Sequence, residues 1–380
     1  MKGVGLRVHE NAVCLLSASM VVGHVAYSVA ALAIDIDSEE GHLATMADVA
    51  RVAGVSRSTV SYVLSGTRPI SEETRQQVLR AMKDLDYTPN ALAQGLAGKR
   101  TGIIALIFPI GDVGFNLTEF EYIRAASEQA REDGYHLLLW PYSADEIDAV
   151  RKMVSQGIVE GVVLMEVRTV DERVSFLLDA GIPFTTIGRT GGHQAQAYVD
   201  TDFEAMGAIA VEYVAGLGHT DIGFLARSQS DLDAGHGPMV RTTEAVVASA
   251  EALGIRSHVF TASLTFDAGW NVLDEIRKTA PELTALLSIN EPATLGLMAA
   301  AREQGLRIPR ELSVVGLTIS DHTAQASHPS LTSVSPNHSD IARLAVRYLI
   351  RRLRGEDSAT FQTLIRPELI ERGSTAVAPA

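Results

Sequence analysis

The chain has one cysteine, Cys14, in 380 residues. An internal disulfide and any cysteine-rich metal site are therefore excluded, which fits a reducing cytoplasm. Catalytic signatures are also missing. There is no GxGxxG after a strand, no Walker loop, no HExxH and no GxSxG. The 11 histidines are scattered. His219 and His236 read as structural or exposed, and His322 and His328 lack ligand spacing. No catalytic residue, metal or cofactor is expected, and the chain does not read as an enzyme. Only AVAPA follows Thr375, with no leucine heptad, so a tetramer built on a terminal coiled coil is not expected.

Positive charge is also short overall. The formal net charge is −14, which argues against a chain that coats nucleic acid without sequence preference. The distribution is uneven, however. Residues 45–100 carry eight Lys/Arg against five Asp/Glu, whereas residues 101–380 carry a net −14. A basic head on an acidic body confines phosphate contact to the head.

The first stretch, 1–44, contains the apolar run Ala12–Ile34 after Lys2 and Arg7. It could be read as a signal peptide or anchor. Against that stand His24, several serines, and the acids Asp35, Asp37, Glu39 and Glu40 in place of a cleavage signature. Residues 1–44 are taken as an N-terminal extension, disordered or a product of start-site choice, with Met46 or a nearby codon as the true start.

The next stretch, 45–101, carries the strongest pattern. Thr45 is placed to cap a helix over Met46–Ala53 with Asp48 in its first turn, and Gly54 supplies a turn. Ser56 caps a second helix, Arg57–Leu64, whose apolar side is Val60, Val63 and Leu64. Arg57, Ser58, Ser61 and Tyr62 point elsewhere, as residues able to read base edges or hold phosphates. A third helix starts at Ser71 and repeats Val78, Met82 and Leu85, closing a three-helix core. The first two helices have helix-turn-helix spacing, in which the second enters a major groove. Ala91–Leu96, after Pro89-Asn90, is too short to be a stable helix alone, and Gly95 weakens it further by roughly 1 kcal/mol.

The segments DVARVAGVSRSTVS (48–61), ISEETRQQV (70–78) and YTPNALAQGLAGKRT (87–101) resemble, without gaps, the head of the LacI/GalR (lac-repressor/galactose-repressor) family of bacterial transcription regulators. The resemblance implies that Arg57 and Ser58 are the principal base readers, with Thr45, Thr59 and Ser61 near phosphates and Ser56 and Tyr62 on the same surface. Tyr62 stands where the family often has arginine, so base preference there does not carry over. It further implies that 88–101 is a hinge helix and linker that orders on DNA. Leu96 would then wedge a minor-groove step beside Asn90, Ala93 and Gln94.

From Gly102 short apolar runs alternate with helical periods: strands near 103–108, 136–140, 162–165 and 184–187, then near 222–226, 259–261, 285–289 and 314–317. Helices are expected over 117–133, 145–156, 170–179, 203–217, 242–253, 268–279 and 293–304. Such alternation gives parallel sheets covered on both faces, and two series imply two lobes with a ligand cleft at the carboxyl ends of the strands. The fold class is α/β, with an N-terminal all-α helix-turn-helix head (45–87) and hinge. The resemblance implies that a two-lobed, periplasmic-binding-protein-like effector-binding and dimerisation domain follows over 102–380.

The anchors VDTD (199–202), GHTDIGFL (218–225), PSLTSV (329–334) and ERGST (371–375) extend the resemblance through the body. It implies an effector site holding Arg241, Asn290 and Thr318, with Leu264 where an aromatic commonly stacks and Phe115 and Arg189 as further candidates. Glu291 replaces the acid of an Asn-Asp pair, and Thr318 replaces an acid that usually binds a sugar hydroxyl. A bidentate arginine suits a carboxylate or phosphate. The resulting expectation is a cytoplasmic, homodimeric regulator, most often a repressor. It would bind a near-palindromic double-stranded DNA operator under control of a small-molecule effector (a sugar, sugar derivative or other small metabolite), with no membrane partner. The competing reading, an exported solute-binding protein, leaves 45–101 without a purpose.

Overall fold

The computed structural model describes residues 44–65, 68–87, 101–109, 117–142, 147–192, 196–356 and 361–379. The expected extension up to residue 43, the hinge residues Asn90, Ala93, Gln94 and Leu96, and Phe115 lie outside the described residues. The chain divides into two compact units, one ending at Tyr87 and one beginning at Thr88.

The first unit holds α1 (Met46–Val52), α2 (Arg57–Ser65) and α3 (Glu72–Asp84). Each start is fixed by a side chain that satisfies an otherwise unpaired amide. Thr45 and Asp48 form a capping box: the Thr45 hydroxyl accepts from the Asp48 amide at 3.3 Å, and the Asp48 carboxylate accepts from the Thr45 amide at 3.1 Å. Hydrogen bonds from Thr45 and then Arg51 hold the Asp48 carboxyl down at about 2. The Ser56 hydroxyl accepts from Thr59 N–H at 3.0 Å, and the Ser71 hydroxyl accepts from Thr74 N–H at 3.3 Å. Gly54, at φ +67°, makes the turn between α1 and α2 in a conformation that disfavours other residues. Val49, Ala50, Val60, Val78 and Ala81 form the buried core, with Val63, Leu64, Met82 and Leu85 around it. Such a small core makes the three caps matter.

The second unit has two sheets. The first-lobe sheet contains β1 (Ile103–Pro109), β2 (His136–Tyr142), β3 (Gly161–Leu164), β4 (Phe184–Ile187), β5 (Tyr198–Thr201) and, from far downstream, β11 (Gln362–Ile365). Its order is β11-β5-β4-β3-β1-β2, all parallel. Helices α4 (Leu117–Glu132), α5 (Ile147–Ser155) and α6 (Glu172–Asp179) belong to this lobe. The second-lobe sheet contains β6 (Asp221–Ala226), β7 (Arg256–Thr261), β8 (Ala285–Ser288), β9 (Ser313–Leu317), β10 (Thr332–Ser335) and β12 (Glu368–Ile370), in the order β12-β10-β9-β8-β6-β7. Only β12 runs antiparallel. Helices α7 (Phe203–Gly216), α8 (Gln229–Asp233), α9 (Gly237–Ala252), α10 (Phe266–Thr279), α11 (Glu291–Glu303) and α12 (Asp321–Ala326) accompany it. Helix α13 (His338–Leu353) returns to pack in the first lobe through Ile341, Ala345 and Leu349. The chain thus crosses between lobes three times, at 201–203, 335–338 and 365–368.

Among the described residues every strand and helix expected from the sequence is present, with shifted ends, and the expected hinge helix lies outside them. Helix α9 begins at Gly237 rather than Thr242, and α11 at Glu291 rather than Ala293, because a proline in the first turn starts each without needing an amide partner. β5, β10, β12, α8 and α12 were not anticipated. Their runs of three to six residues, such as YVDT and TSVS, are too short and polar to show a period.

Two glycines set the approach of α10 to α11. A Cβ on Gly269 would lie 1.9 Å from Ala293 O, and one on Gly296 would lie 1.9 Å from Phe266 O. The obstacles are backbone, so they cannot rotate away. Gly296→Ala is expected to lower the unfolding free energy by about 1–3 kcal/mol, the range for overpacked cores. Gly216→Ala, with nothing within 4 Å of its Cβ, is expected to leave it unchanged or slightly raised. Thermal unfolding of the two variants checks this contrast.

Candidate functional site: the head surface and the interlobe cleft

On the head, Ser56, Arg57 and Ser58 are exposed at the start of α2, and Thr59, Ser61 and Tyr62 are partly buried along it. Thr45 is exposed at the start of α1. Ser56 and Thr59 share a hydroxyl–hydroxyl bond of 2.9 Å besides the cap, so both are committed to holding the first turn. Arg57 and Ser58 project from that turn, where the amide dipoles favour anions. Arg68, which sequence reasoning passed over, is exposed and places its guanidinium 5.0 Å from the centre of the Tyr62 ring. Position 62 carries tyrosine rather than arginine, and the fold brings Arg68 to its side. Contact between a loop residue and a helix residue six positions earlier leaves no periodic signal.

In the second unit a cavity of about 110 Å³ lies between the lobes. From the first lobe it is lined by Thr118, Glu119 and Tyr122 of α4, by Met165 and Glu166 after β3, and by His338 at the start of α13. From the second come Arg227 after β6, His236, Pro238 and Met239, Ile289 and Glu291 after β8, and Thr318 after β9. Several of these follow the carboxyl ends of parallel strands, where open α/β sheets hold ligands.

The polar contacts across the cavity join the lobes. The Glu166 carboxylate accepts from Arg227 at 3.1 Å and pairs closely with the His236 ring. Arg227 also meets Asp231 at 3.4 Å. Burial raises the Glu166 carboxyl, but His236 and Arg227 outweigh it and hold the group well below the usual range. For Arg227 the depressing effect of burial is likewise overcome, by Glu166 and then Asp231. The Glu291 carboxylate accepts hydroxyl hydrogen bonds from Thr118 across the cleft at 2.6 Å and from Thr323 at 2.5 Å. Thr318 sits in the left-handed region at φ +56°, so its carbonyl can face the Thr118 hydroxyl at 3.4 Å. His338 bonds Glu121 through Nδ1 at 3.2 Å, while its buried Nε2 and the buried Nδ1 of His236 have no hydrogen-bond partner among the described residues. Among the lining groups three carboxylates (Glu119, Glu166, Glu291) face one guanidinium (Arg227).

Of the effector residues inferred from sequence, Thr318 lines this cavity. Arg241 and Arg189 do not, and are committed elsewhere. Arg241 donates to the Arg189 carbonyl at 2.6 Å and lies 3.8 Å from Asp200, while Arg189 lies 3.7 Å from Asp200 and pairs with Glu204. Asn290 is fully buried, donating to Ala262 O at 2.9 Å and Ser263 O at 3.3 Å and accepting from Ala293 N–H at 3.2 Å as the cap of α11. Leu264 is half-buried in the turn before α10. The lining residues that sequence reasoning missed include Thr118, Glu166, Arg227, His236 and His338. A signal existed for Glu166 and Arg227, since each is a charged residue within two positions of a strand's carboxyl end.

Asp200 is buried and held up at about 6, because burial outweighs the attraction of Arg241 and Arg189. Both arginines stand too far off to hydrogen bond its Oδ2. Its ordinary value is 3.8, so between about pH 4 and 6 the folded chain binds the proton that the unfolded chain has lost. Stability from this group therefore falls as pH rises through that window. Melting curves of wild type and Asp200→Asn are expected to diverge in that sense between about pH 4 and 6. Parallel curves would remove the argument.

The description of bacterial regulatory proteins of the lacI family matches residues 45–90, and that of the periplasmic binding protein-like domain matches residues 198–375. The chain is 28% identical over 338 residues to the HTH-type transcriptional repressor PurR of Mannheimia succiniciproducens, a match covering 87% of this chain and 98% of the relative. The solved complex of the transcriptional regulator CelR with cellobiose is 26% identical, with a TM-score of 0.66 over 87% of this chain and 99% of that one. The lac repressor dimer bound to operator and the anti-inducer ONPF has the same fold, with a TM-score of 0.74 at 23% identity, covering 88% of this chain and 99% of that one. Among the described residues no helix is long and apolar enough to cross a membrane, and no group of three His, Cys, Asp or Glu is placed to hold a metal. The relatives are named as regulators of transcription rather than enzymes. With a lacI-type helix-turn-helix head and a two-lobed binding-protein-like body, this chain belongs to the lacI family of bacterial transcription regulators.

Proposed function

We propose that the protein is a cytoplasmic homodimeric repressor that reads a near-palindromic operator and is controlled by a small hydroxyl-rich effector in the interlobe cleft. The observation that carries the DNA-reading half is the first turn of α2. There Ser56 and Thr59 are tied into the cap, and Arg57 and Ser58 remain exposed at a positive helix end. Arginine in that position reads a guanine edge in the major groove, and the neighbouring hydroxyls serve bases or phosphates. Arg68, held over Tyr62, adds a cation beside them. Two heads related by a two-fold axis call for a two-fold-symmetric site.

The cleft supports the regulatory half. One buried ring nitrogen each of His236 and His338 has no hydrogen-bond partner among the described residues, and the Glu291 carboxylate already accepts hydroxyl hydrogens from Thr118 and Thr323. A ligand rich in hydroxyls offers the same donors. An anion would face three lining carboxylates with one arginine to offset them. With Arg241 committed to the Arg189 carbonyl and placed beside Asp200, the main reason to favour a carboxylate or phosphate effector weakens. Cellobiose, bound by the similar CelR, is of the hydroxyl-rich class.

Selection from a random duplex library is expected to enrich one two-fold-symmetric site whose affinity falls steeply with salt. The DNA-reading half fails if no duplex outcompetes bulk DNA. Arg57→Ala is expected to relax base preference at one position per half-site, losing about 1–3 kcal/mol there. Leu96→Ala is expected to weaken the selected site far more than random duplex, because wedging belongs to the bent specific complex. Equal losses on all sequences for both variants would contradict this division of roles.

A further inference from the structure

The lobes meet through main chain as well as side chains. Thr169 N–H donates to Gly235 O at 2.8 Å, and Gly237 N–H donates to Val167 O at 3.1 Å, with Arg168 opposite His236 in an antiparallel bridge. Each half of this contact is anchored in its own lobe. On the first-lobe side, Arg173 donates to Glu166 O at 2.8 Å, and Gly191 N–H to Thr169 O at 2.8 Å. On the second-lobe side, His236 N–H donates to Asp231 O at 3.0 Å, and His236 O accepts from Val240 N–H at 3.0 Å in the first turn of α9. The Glu166 side chain, beside the bridge, takes both Arg227 and the ring of His236. Opening the cleft breaks the contacts between the lobes together and leaves the anchors within each lobe in place.

We infer that segments 167–169 and 235–237 form a backbone clasp that latches the two lobes shut through the chain's own contacts, and that the two glycines flanking His236 are what make it close. The consequence for regulation rests on the function proposed above; the clasp itself does not.

The glycine requirement is geometric. A Cβ on Gly235 would lie 2.7 Å from the Thr169 hydroxyl, and one on Gly237 would lie 2.8 Å from Val167 O. Both obstacles belong to the other lobe. Within its own lobe the nearest obstacle to the Cβ of residue 237 is the far end of the Arg241 side chain, at 2.6 Å. Arg241 is itself an interlobe tie, through Arg189 O at 2.6 Å. One methyl at position 237 therefore falls first on two ties between the lobes. Gly235 is less informative, because its φ of +70° adds backbone strain to any substitution.

The test uses the full chain with Cys14→Ser, and with Glu172→Cys on α6 and Glu251→Cys on α9 as sites for spin labels. The distance distribution between labels is read without DNA or any added small molecule. Wild type is expected to give a dominant short distance. Gly237→Ala is expected to raise the population at longer distance by about tenfold, as loss of one or two hydrogen bonds implies, at an unchanged melting temperature. Glu166→Gln, which keeps the shape and weakens the pairing with Arg227 and His236, is expected to shift the distribution in the same direction. Unchanged distributions in both folded variants overturn the clasp. Operator affinity, measured on a site selected with wild type, is expected to change in Gly237→Ala with the head intact. Longer distances without a change in operator affinity would overturn the regulatory role. Failure of wild type to select any site would instead strike the function proposed above and leave the distance result standing.

Discussion

The constraint on which the second unit depends is that its chain passes between the lobes three times within a few residues each time. One passage joins β11 to β12 through Arg366-Pro367 alone, so one edge of each sheet is tied directly to the other. With three short crossings the lobes cannot slide apart, and the remaining freedom is rotation that opens or narrows the cleft. The cavity of about 110 Å³ is small against the roughly 300–1,000 Å³ of sites that enclose a small ligand. The arrangement described is therefore a narrow one.

Narrowing brings charges from opposite lobes together. Glu166 belongs to the first lobe, and Arg227 and His236 belong to the second. Glu291 and Thr118 are divided in the same way. In the narrow form His236 and Arg227 hold the Glu166 charge against burial, and its carboxyl stays well below the usual range. Asp200 has no such donors within hydrogen-bonding distance for its Oδ2, and burial wins there. The contrast between the two acids comes from donor contact: Glu166 pairs closely with His236 and takes Arg227 at 3.1 Å, whereas both arginines stand 3.7–3.8 Å from Asp200.

Much of the fold was legible because it rests on local rules. The caps at Thr45, Ser56 and Ser71 and the alternation of apolar strands with amphipathic helices could be read directly. What could not be read was short or non-local. β5 and β10 are four-residue strands whose identity comes from neighbours far away in the chain. The same limit governed the cleft. Matching by position put Arg241 in the effector site, but whether that guanidinium faces a ligand depends on Asp200 and the Arg189 carbonyl, 41 and 52 residues earlier. Asn290 likewise kept its place in the pattern, while its amide bonds to β-strand ends that no spacing rule connects to it. Phe115 and the four hinge residues named from the resemblance lie outside the described residues.

A cleft held by its own chain is useful only if the hold is weak enough to be broken. Each interlobe hydrogen bond contributes about 0.5–1.5 kcal/mol net, because opening returns both groups to water. The Glu166 pair gains less than its burial suggests, since both charges regain hydration once the lobes part. A few such contacts sum to a few kcal/mol. A ligand must favour one state over the other by roughly 5.5 kcal/mol to reverse a 99:1 population. A side-chain latch with no backbone bridge would be more sensitive to salt and pH, and a larger interface would hold against any small molecule. A two-residue bridge flanked by glycines sits between these limits, in the range that differential binding of one small ligand can overcome.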